Sequence, residues 1–275
     1  MKKVLITGSQ GFIGSRLLSH LSKTNECQIF TLTEDIFDND TWVDDIKLML
    51  LSIRPDVIFH VGACSDTLEQ NVNYMMILNF ESTKVLMDFA KENNVPFIYS
   101  SSAANYGTND LYPSNLYGWS KYVAEQYVIS NGGIGLRYFN VYGPGEENKG
   151  RMASVAFQMY QKYLNGDKIF LFPKKPSRDF VYVKDIVEAN LYAWKNYDSA
   201  RGKFYEVGSG ESRTFEDVLD NFEISYNYLD ESHIPDGYQF YTCSKPELWM
   251  DGWFPQWKLE NGLKDYKVYL ENESI

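Results

Sequence analysis

The sequence predicts an α/β protein, a doubly wound parallel sheet with a small α/β lobe towards the C-terminus. Three observations predict it. A short apolar strand, Lys3–Thr7, runs into Gly8-Ser9-Gln10-Gly11-Phe12-Ile13-Gly14, after which Leu17, Leu18 and Leu21 recur at helical spacing. Apolar strand segments then alternate with helical ones through Val95–Ser100, the pattern of strands buried between helical layers. Finally, a serine-rich strand exit precedes a tyrosine and a lysine four residues apart in a helical segment, Tyr117–Ile129.

The first strand and its loop read as strand, glycine turn, helix. Glycines let the backbone turn tightly and approach a pyrophosphate, whose charge sits at the helix N-terminus; a plain tight turn is the alternative. The second strand, Gln28–Thr33, ends where an adenosine ribose would lie. Thr33, Glu34, Asp35 and Ile36 stand there, and no Arg or Lys occurs between Thr33 and Thr41 to hold a 2'-phosphate. NAD is therefore favoured over NADP through Glu34, against a reading of Glu34 and Asp35 as solvated charges, and Asp35-Ile36 could instead flank the adenine ring.

Asp44–Ile53 has a helical pattern, and Pro55–Ala63 reads as a buried strand with a small-residue exit. His60 within it reads as a structural core residue. A helix over Met75–Asn93 carries Asn79, Ser82 and Thr83, and the strand Val95–Ser100 delivers Ser100-Ser101-Ser102. Ser102, at a strand's C-terminal end, is placed to meet a substrate hydroxyl. Fifteen residues on, Tyr117 and Lys121 share a helix face. An ammonium beside a phenol would lower its pKa and make Tyr117 a base; the alternative is an amphipathic surface pair.

Composition narrows the function classes. With 275 residues, 44% hydrophobic and 16% aromatic, the chain can bury a large core. A net charge of -11 argues against nucleic acid and anionic membranes and for a small-molecule partner. Cys27, Cys64 and Cys243 are odd in number, far apart and without metal-ligand spacing, so neither a disulfide nor a metal site is expected. Val4-Leu5-Ile6 is too short for a signal-peptide core, so a cytoplasmic protein is expected.

With glycine loop, serine, tyrosine and lysine in order, the chain resembles the extended short-chain dehydrogenase/reductases of the nucleotide-sugar epimerase type. Arg137-Tyr138-Phe139-Asn140-Val141-Tyr142-Gly143-Pro144 and Arg178-Asp179-Phe180-Val181-Tyr182-Val183-Lys184-Asp185 extend the likeness over nearly the whole chain. Within that family four runs are most similar to the ADP-heptose 6-epimerases: Gly62-Ala63-Cys64-Ser65, Tyr74-Met75-Met76, Ser101-Ser102-Ala103-Ala104 and the stretch from Asn148 to Phe157.

The resemblance implies a Rossmann-like fold binding NAD or NADP and a nucleotide sugar, in a homo-oligomer. Tyr117 would be one acid/base, Lys121 would bind the nicotinamide ribose, and Lys149 would be a second acid/base on the opposite face of the sugar. Gly8, Gly11, Phe12, Ile13, Gly14, Val61, Gly62, Ala63, Cys64, Ser65, Asn79 and Val141 fall on cofactor positions, and Asn140, Phe172, Arg178 and Tyr238 on substrate positions. Arg151 and Gln158 stand where the heptose epimerases have a serine and a histidine near the substrate. Arg178 has a planar fork suited to a diphosphate, its alternative being an ion pair with Asp179 or Asp185; for Lys149 the alternative is a solvated charge.

The expected organisation is a dinucleotide domain over 1–145 with a returning segment near 178–208, and a substrate lobe over 146–177 and 209–275. In the lobe, Thr214 offers a helix cap with Asp217 three residues on, Ile234-Pro235-Asp236-Gly237-Tyr238 is loop-like, and Leu259–Leu270 is a closing helix. Trp249, Trp253 and Trp257 read as lobe core rather than a sugar-stacking platform.

Overall fold

The computed structural model describes residues 1–108, 111–235 and 238–273; the expected loop at Asp236-Gly237 lies outside them. The chain divides into two compact units, Met1–Tyr138 with Val187–Tyr205, and Phe139–Ile186 with Glu206–Ile275.

The first unit alternates strand and helix: β1 (Lys2–Thr7), α1 (Phe12–Thr24), β2 (Cys27–Leu32), α2 (Trp42–Ile53), β3 (Val57–His60), α3 (Val72–Met76), α4 (Ser82–Glu92), β4 (Phe97–Ser102), α5 (Leu116–Ser130) and β5 (Ile134–Tyr138). The sheet runs β2-β1-β3-β4-β5, with Lys203–Val207 as a sixth strand. The pairs from β2 to β5 are parallel, with Thr7 opposite both Leu32 and His60. This order places β1 between β2 and β3, so the chain reverses direction across the sheet there. Open α/β sheets bind their ligands outside the strand ends at such a switch point, and here the loops beginning at Gly8 and Val61 flank it.

Val4, Leu5, Ile6, Ile58, Phe59 and Phe97 are all buried without alternation, as strands covered on both faces require. In α2, Ile46, Leu50 and Ile53 fall on one face and are buried, each contributing about 1.5–3 kcal/mol relative to exposure. The single helix expected over Met75–Asn93 is instead two helices joined by a π turn, Ile77–Glu81, closed by Ser82 N–H donating to Ile77 O. Asn79 in that turn bonds to a loop and to another helix, long-range demands that override a regular period and that periodicity cannot register.

The second unit contains a three-stranded mixed sheet, Asn140–Tyr142 parallel to Ser177–Tyr182 and the latter antiparallel to Ser212–Thr214. Thr214 caps the helix Phe215–Phe222 in a reciprocal box with Asp217, as its spacing predicts, and the closing helix runs Leu259–Glu273. Trp253 is buried, edge-on to Trp249 at 5.8 Å, while Trp257 packs on Tyr182 at 5.1 Å. Trp249 and Trp257 also line a cavity of about 240 Å³. Among the described residues no helix is long and apolar enough to cross a membrane.

Candidate active site

The glycine loop closes tightly on itself. Gly11 N–H donates to Gly8 O at 3.0 Å, and a Cβ on Gly14 would lie 2.1 Å from Gly8 O. Gly11 precedes α1 without any side-chain cap on the helix, whose first residues are Phe12, Ile13 and Gly14. Beyond β2 the two acids are sorted by different partners: the Thr33 hydroxyl donates to Asp35, whereas Glu34 accepts from the Tyr74 hydroxyl at 2.9 Å. Ile36 follows in the same short helical turn, Glu34–Asp38.

Behind these loops runs a directed chain of hydrogen bonds. Gly62 N–H donates to Thr7 Oγ1 at 2.9 Å, Thr7 Oγ1 meets His60 Nδ1 at 2.7 Å, His60 Nε2 meets Thr83 Oγ1 at 2.8 Å, and Thr83 Oγ1 donates to Asn79 O at 2.8 Å. The single Thr83 proton goes to the Asn79 carbonyl, so Nε2 of His60 carries its hydrogen and Nδ1 accepts from Thr7. His60 is thus neutral, and burial together with the nearby Lys121 pushes its pKa down to about 3. The structural reading of His60 stands.

The same Asn79 ties the loop after β3 to α5. Its Oδ1 accepts from Cys64 N at 2.7 Å, and its Nδ2 donates to Cys64 O and to Ser120 Oγ, both at 2.9 Å. Asn79 therefore holds the loop Val61-Gly62-Ala63-Cys64-Ser65 through its backbone.

Ser102 ends β4, and Tyr117 stands in the first turn of α5, which Asn115 caps through Gly118 N–H at 2.8 Å. A Cβ on Gly118 would lie 2.7 Å from Ala104 O; only glycine lets this helical turn rest on the segment after Ser102. The Ser102 hydroxyl pulls the pKa of the Tyr117 phenol down, but burial is the larger influence and the net shift is upward. The expected depression by Lys121 is not found. The Lys121 ammonium lies over the Tyr99 ring, 4.3 Å from its centroid, and burial lowers its own pKa to about 7 while Glu125, one turn on, pulls it up.

Glu125 and Arg137 form a buried ion pair beneath this group, with Nη2 to Oε1 at 2.6 Å and Nε to Oε2 at 2.8 Å. Glu125 also accepts from Ser101 Oγ at 2.7 Å, and the Arg137 guanidinium lies 3.6 Å from the Phe204 ring centroid and 4.7 Å from that of Tyr106. The residue before Ser102 and the helix bearing Tyr117 are held by one charge pair.

In the second unit, Phe172, Arg178 and Tyr238 are brought together: the two rings are 5.1 Å apart and the guanidinium is 5.5 Å from the Tyr238 centroid and 5.6 Å from that of Phe215. Among the described residues Arg178 makes no ion pair. Asp179 instead accepts from Ser209 N and Ser244 N, and Asp185 from Gln256 N and Trp257 N. Asn140 is exposed and accepts from Thr242 Oγ1 at 3.3 Å, and Val141 is its neighbour on the same strand.

Lys149 lies in the turn Glu147–Met152, where burial lowers its pKa and Glu146 raises it. Glu146 is fully buried and accepts from Gly143 N, Ser154 N, Ser154 Oγ and Tyr266 OH, so it anchors the turn. Arg151 is exposed, and Gln158 donates to the carbonyls of Arg151 and Ala153, closing the same turn onto the helix Val155–Leu164.

Residues 4–208 match the model of the NAD dependent epimerase/dehydratase family. The chain belongs to that family. Two ADP-L-glycero-D-manno-heptose-6-epimerases, from two strains of Pseudomonas aeruginosa, are 36% identical to it, covering 97% of this chain and 98% of each relative. The crystal structure of the ADP-L-glycero-D-manno-heptose-6-epimerase of Helicobacter pylori matches with a TM-score of 0.84 at 26% identity, over 98% of this chain and 96% of that one. The UDP-glucose 4-epimerase of Thermotoga maritima matches with a TM-score of 0.85 at 24% identity, over 99% and 100%, a likeness of fold.

This member of the epimerase/dehydratase family is accordingly a nicotinamide-dependent enzyme. The glycine loop fits such a cofactor: the closure of Gly14 on Gly8 leaves no room for a side chain, and no side chain caps α1, whose dipole presents positive charge to an anion. Sequence reasoning overlooked Tyr99 under Lys121, the Glu125–Arg137 pair, Tyr74 on Glu34 and Phe215 beside Arg178. The pair and Tyr74 left a signal, since Glu125 follows Lys121 by one helical turn and Arg137 and Tyr74 each open one of the family-like runs.

Proposed function

We propose that the enzyme is an ADP-glycero-manno-heptose 6-epimerase, working by transient oxidation to a ketone and re-reduction on the other face. The observation that carries the reading is the 36% identity, over almost the whole of both chains, to enzymes named for that reaction. Two acid/base residues fit it. Tyr117, on which Ser102 acts to lower the pKa, takes the hydroxyl proton from one epimer and returns it on the way back. Lys149, whose burial favours the neutral amine, does the same for the other epimer. Ser102 also orients the reacting hydroxyl, and Lys121 binds the nicotinamide ribose. The bound dinucleotide supplies a hydride acceptor that becomes the donor of the return step, so net redox change is zero.

On the substrate, Arg178 grips the diphosphate through its fork, with Phe172, Tyr238 and Asn140 beside it. Asn79 acts at one remove, by fixing the backbone of Val61–Ser65. Glu34 and the absence of a base over 33–41 make NAD the preferred dinucleotide. The enzyme is expected in the cytoplasm as a homo-oligomer.

The test is stereochemical. Wild type, Tyr117→Phe and Lys149→Met are each incubated with either C6 epimer of the ADP-heptose, and the C6 configuration is followed by proton NMR. Wild type should interconvert the epimers and neither variant should, with cofactor retained in all three. Undiminished interconversion by Lys149→Met would exclude Lys149 as the second base, and none by cofactor-loaded wild type would exclude this substrate.

A further inference from the structure

We propose that Tyr74 is a specificity-determining residue for the cofactor: by holding the Glu34 carboxylate at the end of β2, it makes that acid reject a 2'-phosphorylated dinucleotide. The proposal rests on the reading that Glu34 meets the adenosine ribose. Glu34 is exposed, and a free surface glutamate would turn into solvent when a phosphate approached, relieving the repulsion at little cost. The Tyr74 hydroxyl, donating to Oε1 at 2.9 Å, restrains that escape. Oε2 keeps its capacity to accept from a ribose hydroxyl. A 2'-phosphate would bring like charge against an anchored carboxylate, with no Arg or Lys over 33–41 to offset it.

Three further observations favour a built device over a chance surface contact. Asp35 is held by Thr33, so of the two adjacent acids only Glu34 is directed to Tyr74. Tyr74 itself is placed by the cap of α3, where the Asn71 side chain accepts from Tyr74 N at 3.1 Å. Its pKa is pushed up to about 12 by burial and by Glu34, so the phenol stays a donor through the neutral range.

The test is a competition. Full-length wild type, Tyr74→Phe, Glu34→Gln and the double variant are each equilibrated with equal excess NAD and NADP and passed rapidly through a desalting column. The retained dinucleotides are then quantified by mass spectrometry. Wild type should retain mainly NAD. Tyr74→Phe should lower the NAD:NADP ratio roughly five- to tenfold, Glu34→Gln should lower it at least as far, and the double variant no further than Glu34→Gln. A tyrosine that merely supports the fold would weaken both nucleotides alike and leave the ratio unchanged. If Glu34→Gln shifts the ratio and Tyr74→Phe does not, the role of Tyr74 is refuted while Glu34 keeps its place at the ribose. An unchanged ratio in Glu34→Gln removes Glu34 from the ribose and the proposal with it.

Discussion

His60 offers a quantitative test of the hydrogen-bond chain behind the glycine loop. Both of its ring nitrogens face hydroxyls whose protons are already directed, one onto Nδ1 itself and one onto the Asn79 carbonyl. Protonating the ring would add an N–H at Nδ1 that points at the Thr7 hydroxyl already donating to it, beside the Lys121 ammonium. The folded pKa of about 3 lies below the ordinary 6.5. As pH falls through 6.5 the unfolded chain takes up a proton that the folded chain refuses until about 3. Stability is therefore lost across that window, by about 1.4 kcal/mol per pH unit. Over the two units from 6.5 to about 4.5 the loss attributable to this one residue is about 2–3 kcal/mol. The assay is urea unfolding followed by circular dichroism, at about pH 7 and about pH 4.5, on wild type and His60→Asn. The variant should start about 1–3 kcal/mol less stable, because hydroxyls lose their partner, yet fall less steeply on acidification. Contributions from the many carboxylates are common to both proteins and cancel in the difference. Equal slopes would refute a neutral, chain-bound His60.

Two further outcomes follow from close contacts. Gly14→Ala sets a methyl against the Gly8 carbonyl, a backbone atom that cannot rotate away; stability should drop by about 1–3 kcal/mol or more and the dinucleotide retained through purification should fall sharply, whereas normal retention would show that the loop can open without harm. Arg137→Met leaves the Glu125 carboxylate buried and unpaired and should cost about 3–5 kcal/mol in chemical unfolding, while adding Glu125→Gln should recover most of it; strictly additive losses would mean that the two side chains do not act as a pair.

The strand, glycine loop and first helix were legible because each is a local pattern of a few residues. The capping box at Thr214 was legible for the same reason. Lys121 was not: spacing of four puts it on the Tyr117 face of α5, but the Tyr99 ring that receives it comes from β4, and nothing in a linear pattern tells which neighbour an ammonium will choose. The alternative partners for Arg178 failed likewise. Asp179 and Asp185 stand close in sequence, yet the amides that bind them come from residues 209, 244, 256 and 257. The burial of His60 could be read from its apolar run, but not Thr7 and Thr83, which lie 53 and 23 residues away.

The π turn at Ile77–Glu81 sets a constraint on insertions and deletions. An added residue offsets everything beyond it by about 100° around a helix of 3.6 residues per turn. The far side, α4, is pinned by Leu86, Met87, Phe89 and Ala90 in the core, so a one-residue deletion in the turn would be felt on the near side. Regular helix would result, and secondary-structure content would hardly change. But α3 would rotate by about a quarter of a turn or more, carrying the Tyr74 hydroxyl away from Glu34 and moving the Asn79 amide off the Cys64 backbone. Homologous chains that differ in length by one residue here would therefore look alike in fold and differ at the Tyr74–Glu34 and Asn79–Cys64 contacts, so helix phase across residues 77–81 is a sharper comparison between relatives than helix content.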